Sequence, residues 1–269
     1  MRGGLVRESR GRVLIIAGSD SGGGAGIQAD VKTVTALGGY AATAITAITV
    51  QNTLGVHALH ALSPALVEAQ ARAVLEDIGA DAIKIGMLSG VEMVETVARL
   101  LDTQPCVPAV IDPVMVAKGG GRLLDEEAVR AVRALLVARA DLLTPNAPEA
   151  AALTGLVVET TDDLRRAGEA LLRLGARAVL MKGGHVPGER VVDLLMTAEG
   201  ETTFAGSRID TRHTHGTGCT LSSACAAGLA HGLPLGLTVA NAWSYTAEAI
   251  RRAPGFGAGL LRTLRDAPP

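Results

Sequence analysis

The sequence predicts an α/β protein, with a mostly parallel central sheet covered by helices on both faces. Short apolar runs of strand length alternate with segments of helical periodicity, which is the pattern of βαβ units. Two long stretches, 33–67 and 213–247, carry no Asp, Glu, Lys or Arg. Gly, Pro, Asn, Gln, Ser and His interrupt both, so they read as buried α/β core rather than membrane spans. There is no internal repeat, low-complexity linker or break in composition, so residues 13–269 are expected to form a single domain behind a disordered extension over 1–12.

In chain order, strands are expected at 13–17 and 42–50 with a helix over 26–37 between them. A helix at 64–78, strand 82–85, helix 91–101, strand 109–111, helix 126–136 and strand 142–144 follow. The second half repeats the alternation: helix 162–174 with Gly175 as its C-cap, strand 178–181, an antiparallel pair at 191–196 and 202–204, a small-residue helix over 217–230 and a last helix at 235–251.

Composition narrows the function. Of the 269 residues, 48% are apolar, enough for a sizeable core, and 25 basic side chains against 27 acidic ones leave a net charge of -2. With no basic block and only five aromatic residues, the chain lacks the electrostatic footprint and stacking platforms of a nucleic-acid binder. Cys106, Cys219 and Cys225 form an odd set without C-x-x-C spacing, which argues against a zinc site or a disulfide framework. The Arg-rich start is followed by an apolar run too short for a signal peptide, so a cytoplasmic protein with no membrane partner is expected.

Two glycine clusters carry the chemistry. The first, 18–26 (GSDSGGGAG), turns from a strand into a helix whose N–H groups can face an anion or a polar substrate. Its Gly24-x-Gly26-x-x-Ala29 formally fits the dinucleotide fingerprint, but six residues separate Ala17 from Gly24, and the second strand closes on Gln51 and Asn52 rather than an acid. No P-loop sequence occurs. The second cluster, 214–220 (THGTGCT), opens the small-residue helix, and successive amides at Gly216, Thr217, Gly218 and Cys219 can form a pocket for a transferring phosphoryl group. Cys219 reads either as a small buried thiol or as a group at that pocket whose pKa the helix terminus lowers.

At the ends of middle strands stand Asp112 and, in TPNAPE, Asn146 and Glu149. They offer hard oxygen ligands for Mg2+ through water, yet capping a helix explains Asn146 and Glu149 equally well. Lys182 follows a strand and precedes two glycines, so it can either meet phosphate oxygens or lie at a surface turn.

Together these segments resemble the hydroxymethylpyrimidine and phosphomethylpyrimidine kinases of thiamine biosynthesis, within the ribokinase-like superfamily. The matching pieces are 17–30 (AGSDSGGGAGIQAD), 50–53 (VQNT), 84–88 (KIGML), 112–115 (DPVM), 182–185 (KGGH) and 213–220 (HTHGTGCT), in order over 13–250. The resemblance implies a ribokinase-like three-layer sandwich and ATP-dependent phosphorylation of 4-amino-5-hydroxymethyl-2-methylpyrimidine, then of its monophosphate. It also implies that Gln51, Gly18, Met87, Val114 and Asp20 form the pyrimidine site and that Gly216, Thr217, Gly218 and Cys219 form the catalytic anion hole. Lys182, Asn146 and Thr217 would then bind ATP, Asp112 and Glu149 would place Mg2+, and the enzyme would be a homodimer. A pyridoxal or pyridoxine kinase of the same fold and a non-catalytic pyrimidine-binding protein are the alternatives. For the second phosphorylation, the glycine content suggests amides near 22–24 as phosphate donors and a lid at 118–122. If Cys219 is a general base, Cys219→Ala loses about 10^2 or more in kcat.

Overall fold

The computed structural model describes residues 11–115 and 124–257. The strands are β1 (Arg12–Asp20), β2 (Tyr40–Asn52), β3 (Gly55–Ala61), β4 (Ala82–Ile85), β5 (Ala109–Ile111), β6 (Leu142–Leu143), β7 (Ala178–Met181), β8 (Arg190–Thr197) and β9 (Gly200–Ser207). All nine belong to one sheet, ordered β3-β2-β1-β4-β5-β6-β7-β8-β9. Pairing is parallel from β2 to β7, with β3 antiparallel at one edge and β8 and β9 antiparallel at the other. The helices are α1 (Gly26–Ala36), α2 (Pro64–Asp77), α3 (Val91–Asp102), α4 (Glu126–Ala131), α5 (Ala147–Thr154), α6 (Thr161–Arg173), α7 (Thr217–Ala230) and α8 (Leu235–Arg251).

Because side chains alternate across a strand, each central strand feeds two cores. Leu14, Ile16, Ile83, Ile85, Ile111 and Leu143 pack with residues of α2 to α6. Val13, Ile15, Ala17, Val110, Leu142 and Leu180 pack with residues of α1, α7 and α8. The outcome is the three-layer sandwich that the alternation predicted.

Strands 82–85, 109–111 and 178–181 and helices 217–230 and 235–251 fall where the sequence placed them. Elsewhere the structure corrects the reading. Strand β1 runs on to Asp20 and β2 spans 40–52, so both carry residues of the ligand loops. Strand β3 was not expected: it lies on the sheet edge, and five of its seven residues are exposed, so no core pattern marks it. Helix α5 was given no range, but the helix-capping alternative for Asn146 and Glu149 is what the structure shows, as a reciprocal capping box at its start. The helix expected over 126–136 leaves α geometry at Val132, passing through a π turn and then a 3-10 turn to Arg139. Strand β6 stops at Leu143, although the Thr144 amide still donates to the Ile111 carbonyl. Gly11 and Arg12 belong to the fold rather than to an extension, since Arg12 opens β1 and is ion-paired with Asp81 at 2.6 Å.

Strand β1 lies between β2, which follows it, and β4, to which the chain returns after β3, so the direction of strand order reverses at β1. In open α/β sheets such a point creates a crevice at the carboxyl ends of the strands. Here that crevice falls between Gly18–Asp20 at the end of β1 and Gly86–Met87 after β4.

Candidate functional site

A cavity of about 1720 Å³ opens at this edge, and every residue assigned above to the pyrimidine, anion-hole, ATP and Mg2+ sites lines it. Asp20 and Gln51 meet at His215 and Met87 meets Gly18, Lys182 joins Asp112 and Glu149, and the turn from Gly216 to Cys219 approaches both groups. The segment 118–122 expected as a lid lies outside the described residues.

The first glycine turn differs from expectation. The Asp20 carboxylate accepts from the amides of Gly22, Gly24 and Ala25 at 2.8, 3.1 and 2.9 Å, and the Gly23 amide donates to the Asp20 carbonyl at 2.9 Å. Asp20 therefore already supplies the anion that the amides at 22–24 were expected to bind in a substrate, and the turn is a braced wall rather than a phosphate cradle. Burial works to raise the Asp20 pKa, but His215 and the amides of Gly22 and Ala25 outweigh it and hold the carboxyl below its usual range. On the far side, Ser21 Oγ donates to the Gln51 carbonyl and accepts from the Gln51 amide, at 2.7 and 2.8 Å, fixing this residue to the turn.

The second turn packs directly on the first. Gly216 has φ +79°, and a Cβ placed there would lie 1.8 Å from the Gly24 carbonyl oxygen. Only glycine lets the two backbones meet this closely. Gly216 is the N-cap of α7 and provides no side-chain cap, so the first-turn amides face the cavity. A Cβ on Gly218 would lie 3.3 Å from Lys182 Nζ and 3.5 Å from Asp112 Oδ2, so the helix terminus and the ammonium converge on one point.

Lys182, at the end of β7, lies 2.8 Å from Asp112 Oδ1 and 3.7 Å from Glu149 Oε2. Burial works to lower its pKa, but the two carboxylates outweigh it and raise it, so the ammonium stays charged. Burial also works to raise the Asp112 pKa, and Lys182 and Lys84 hold it below its usual range. Asn146 Oδ1 accepts from the Glu149 amide at 2.9 Å, and Glu149 Oε2 accepts from the Asn146 amide at 2.8 Å. Capping thus occupies part of both side chains while they still line the cavity. With all three groups ionised, Asp112, Glu149 and Lys182 leave one negative charge in excess, and burial, more than the opposing Lys182 and the neighbouring Asp112, pushes the Glu149 carboxyl up to about 7. Two hard oxygen donors with surplus negative charge fit a divalent cation carried in with a polyphosphate.

This shift has a testable sign. The folded pKa of about 7 exceeds the ordinary 4.5, so the group's contribution to stability is full below pH 4.5 and is lost as pH rises through 7. The ligand-free protein is expected to lose melting temperature between pH 5 and 8, and Glu149→Gln to flatten that loss. Parallel melting curves for the two proteins across this range would refute the assignment.

Cys219 corrects a second expectation. The residue is half-buried at the cavity wall, and burial of its thiol pushes the pKa up to about 12. Lys84 and the Gly26 amide favour the thiolate but do not overcome burial reinforced by the charges of Asp30 and Asp112. A helix N-terminus alone does not make this thiol acidic.

Sequence reasoning missed His215, which is buried with Nε2 2.9 Å from Asp20 Oδ2 and 3.3 Å from the Gln51 side-chain nitrogen. It joins the braced turn to the amide expected to read the substrate, and its place inside the second glycine motif was the available signal. Trp243 on α8 was passed over as well. It lines the cavity and packs against Gly206, where a Cβ would lie 2.8 Å from its ring, giving this end a flat apolar wall. No helix of the described residues is long and apolar enough to cross a membrane.

The sequence and the fold also resemble those of known proteins. A family model described as phosphomethylpyrimidine kinase matches residues 20–263. The hydroxymethylpyrimidine/phosphomethylpyrimidine kinase of Streptomyces coelicolor is 49% identical, over 92% of this chain and 91% of that protein. The Bacillus subtilis protein of the same name is 44% identical over 92% of each. Against the Geobacter sulfurreducens thiamine biosynthesis bifunctional protein ThiED the identity is 48%, and the chain spans about half (51%) of its length. Among solved structures, a Clostridium difficile phosphomethylpyrimidine kinase gives a TM-score of 0.80 at 43% identity, covering 89% of this chain and 99% of that one. An ADP complex of Bacillus subtilis pyridoxal kinase gives 0.88 at 35% identity, covering 96% and 97%.

Proposed function

This chain belongs to the phosphomethylpyrimidine kinase family, and on that premise we propose that it transfers the γ-phosphoryl group of ATP to the hydroxymethyl oxygen of 4-amino-5-hydroxymethyl-2-methylpyrimidine, and then phosphorylates the monophosphate, in thiamine biosynthesis. The observation that carries this reading is the contact of the two glycine turns. It puts the open amides of α7 and the Lys182 ammonium in one cavity with Gln51, Met87 and Gly18.

In this reading the Gln51 amide hydrogen-bonds the aminopyrimidine edge, and Met87, whose Cε would lie 2.8 Å from a Cβ on Gly18, lies against the ring beside Val114. Asp20 serves that pocket indirectly, by fixing the turn and His215. The amides of Gly216, Thr217, Gly218 and Cys219, with Lys182, hold the γ-phosphoryl oxygens, and Asn146 and Thr217 line the path of the nucleotide. Asp112 and Glu149 would hold Mg2+ through water, and the ion would supply charge neutralisation to the polyphosphate. The bond from the acceptor oxygen to phosphorus forms as the bond to the ADP oxygen breaks.

Positioning and charge stabilisation supply most of the rate in a loose phosphoryl-transfer transition state. Since Cys219 remains a thiol at neutral pH, the hydroxyl proton passes late to a phosphoryl oxygen rather than early to a thiolate. Cys219→Ala is therefore expected to keep kcat within about tenfold of wild type, below the range usual for a lost general base. The pH profile of kcat between 6 and 9 should lack a thiolate limb, and a loss of about 10^2 or more together with such a limb would restore the base role.

Residues 11–269 form a single kinase domain in this proposal, supported by the strands of both halves sharing one sheet. We place the enzyme in the cytoplasm, in keeping with its three free cysteines. A homodimer is supported by Ile48 and Val50, exposed large apolar residues on one face of β2 near the sheet edge. Light scattering should give twice the chain mass, and a monomer at micromolar concentration would reject the dimer. The reaction itself is tested by ADP release with Mg-ATP against the pyrimidine alcohol, its monophosphate and pyridoxal in parallel. Turnover of the first two is expected to exceed that of pyridoxal, and the reverse order would favour the pyridoxal kinase reading that the structural likeness keeps in view.

A further inference from the structure

Lys84, in the KIGML segment, has no place in the mechanism above, yet it occupies an unusual position. It sits within β4 between Ile83 and Ile85, completely buried, on the sheet face that carries α1 and α7. Its Nζ lies 3.0 and 2.8 Å from Asp30 Oδ1 and Oδ2, also completely buried, one turn into α1. Asp30 Oδ1 in turn accepts from Ser223 Oγ at 2.7 Å, and Ser223 is buried one turn beyond Cys219 on α7.

An ion pair closed to water gains little stability over a well-packed apolar pair of the same volume, so stability alone does not account for it. What the triad has is placement. It ties together the helix that follows the first glycine turn, the helix that begins with the second, and the strand that leads to Met87. A Cβ on Gly86 would lie only 2.8 Å from Lys84 Nζ, so the ammonium also supports the loop entering the ring pocket. The contact of Gly216 with Gly24 holds the tips of the turns, and the triad fixes the two helices one turn deeper. Two points of attachment stop α7 from rotating against α1, and that rotation is what would swing the amides of Gly216 to Cys219 away from the acceptor hydroxyl.

We propose that Lys84, Asp30 and Ser223 are positioning residues for phosphoryl transfer, locking the α7 anion hole in register with the acceptor pocket. The inference rests on the kinase reading above. Its test uses two variants that avoid leaving a lone buried charge: Ser223→Ala, which keeps the ion pair, and the double variant Lys84→Met with Asp30→Asn, which removes both charges. Well below the melting temperature of each protein, kcat is expected to fall several-fold in the first and about tenfold or more in the second, the scale set by small misplacements of reacting groups. KM for the pyrimidine should stay within about threefold, since loss of transition-state contacts lowers kcat and spares ground-state binding. Melting curves separate this from unfolding.

A folded double variant with wild-type kcat would overturn the proposal and leave the triad a purely structural element. If the double variant does not fold, Ser223→Ala decides alone, and unchanged kcat there overturns it. Failure of the kinase reading is recognisable separately, because the wild-type protein would then release no ADP with the pyrimidine alcohol.

Discussion

Gly216→Ala is expected to lower kcat by about 10^2-fold or more. A Cβ would sit 1.8 Å from the Gly24 carbonyl oxygen, so the two turns must separate by more than about an ångström to reach ordinary contact, and a misplacement of that size costs on this scale. The φ of +79° adds strain of about 1–2 kcal/mol for any residue with a side chain, so the melting temperature should drop by several degrees. Binding of the pyrimidine should weaken as well, since Gln51 is tied to the first turn through Ser21 and to the second through His215. Steady-state kinetics and a melting curve check both effects, and activity within about threefold of wild type would mean that the contact does not set the geometry of transfer.

Lys182→Met is expected to lower kcat by about 10^2- to 10^3-fold, as loss of a preorganised charge at developing negative charge does elsewhere. Its Nζ neutralises Asp112 at 2.8 Å and stands beside Gly218, at the position from which it would meet the γ-phosphoryl oxygens. Removing it also leaves two buried carboxylates without their cation, a destabilisation of about 3–5 kcal/mol. That cost should be partly relieved by adding Glu149→Gln, whereas the lost turnover should not return. Unchanged turnover and apparent ATP affinity in Lys182→Met would contradict this placement.

Much of this was legible in the sequence because the same residues that make strands and turns also make the site. The short runs at 82–85, 109–111 and 178–181, apolar except for Lys84, read as buried strands, and the prolines and glycines after them mark where the chain leaves the sheet. Edge strand β3 was not legible, since periodicity reports burial and this strand has little. The Asp20 carboxylate was invisible for a different reason. Glycine content shows that amides are free of side chains, but not whether a neighbouring carboxylate already satisfies them. Cys219 shows the same limit: its helix terminus could be read from the motif, whereas the burial and the nearby Asp30 and Asp112 that outweigh it come from distant parts of the chain. Lys84 did carry a signal, as a charge in the middle of a buried strand requires a buried partner.

The central claim is geometric, and a crystal structure with a non-hydrolysable ATP analogue, Mg2+ and the pyrimidine alcohol tests it most directly. The γ-phosphoryl oxygens should accept hydrogen bonds from the amides between Gly216 and Cys219 and from Lys182. The hydroxymethyl oxygen should lie in line with phosphorus at about 3–3.5 Å, the separation of a near-attack arrangement. A complex that places the pyrimidine away from Gln51 and Met87, or the γ-phosphoryl group outside the α7 terminus, would contradict the account.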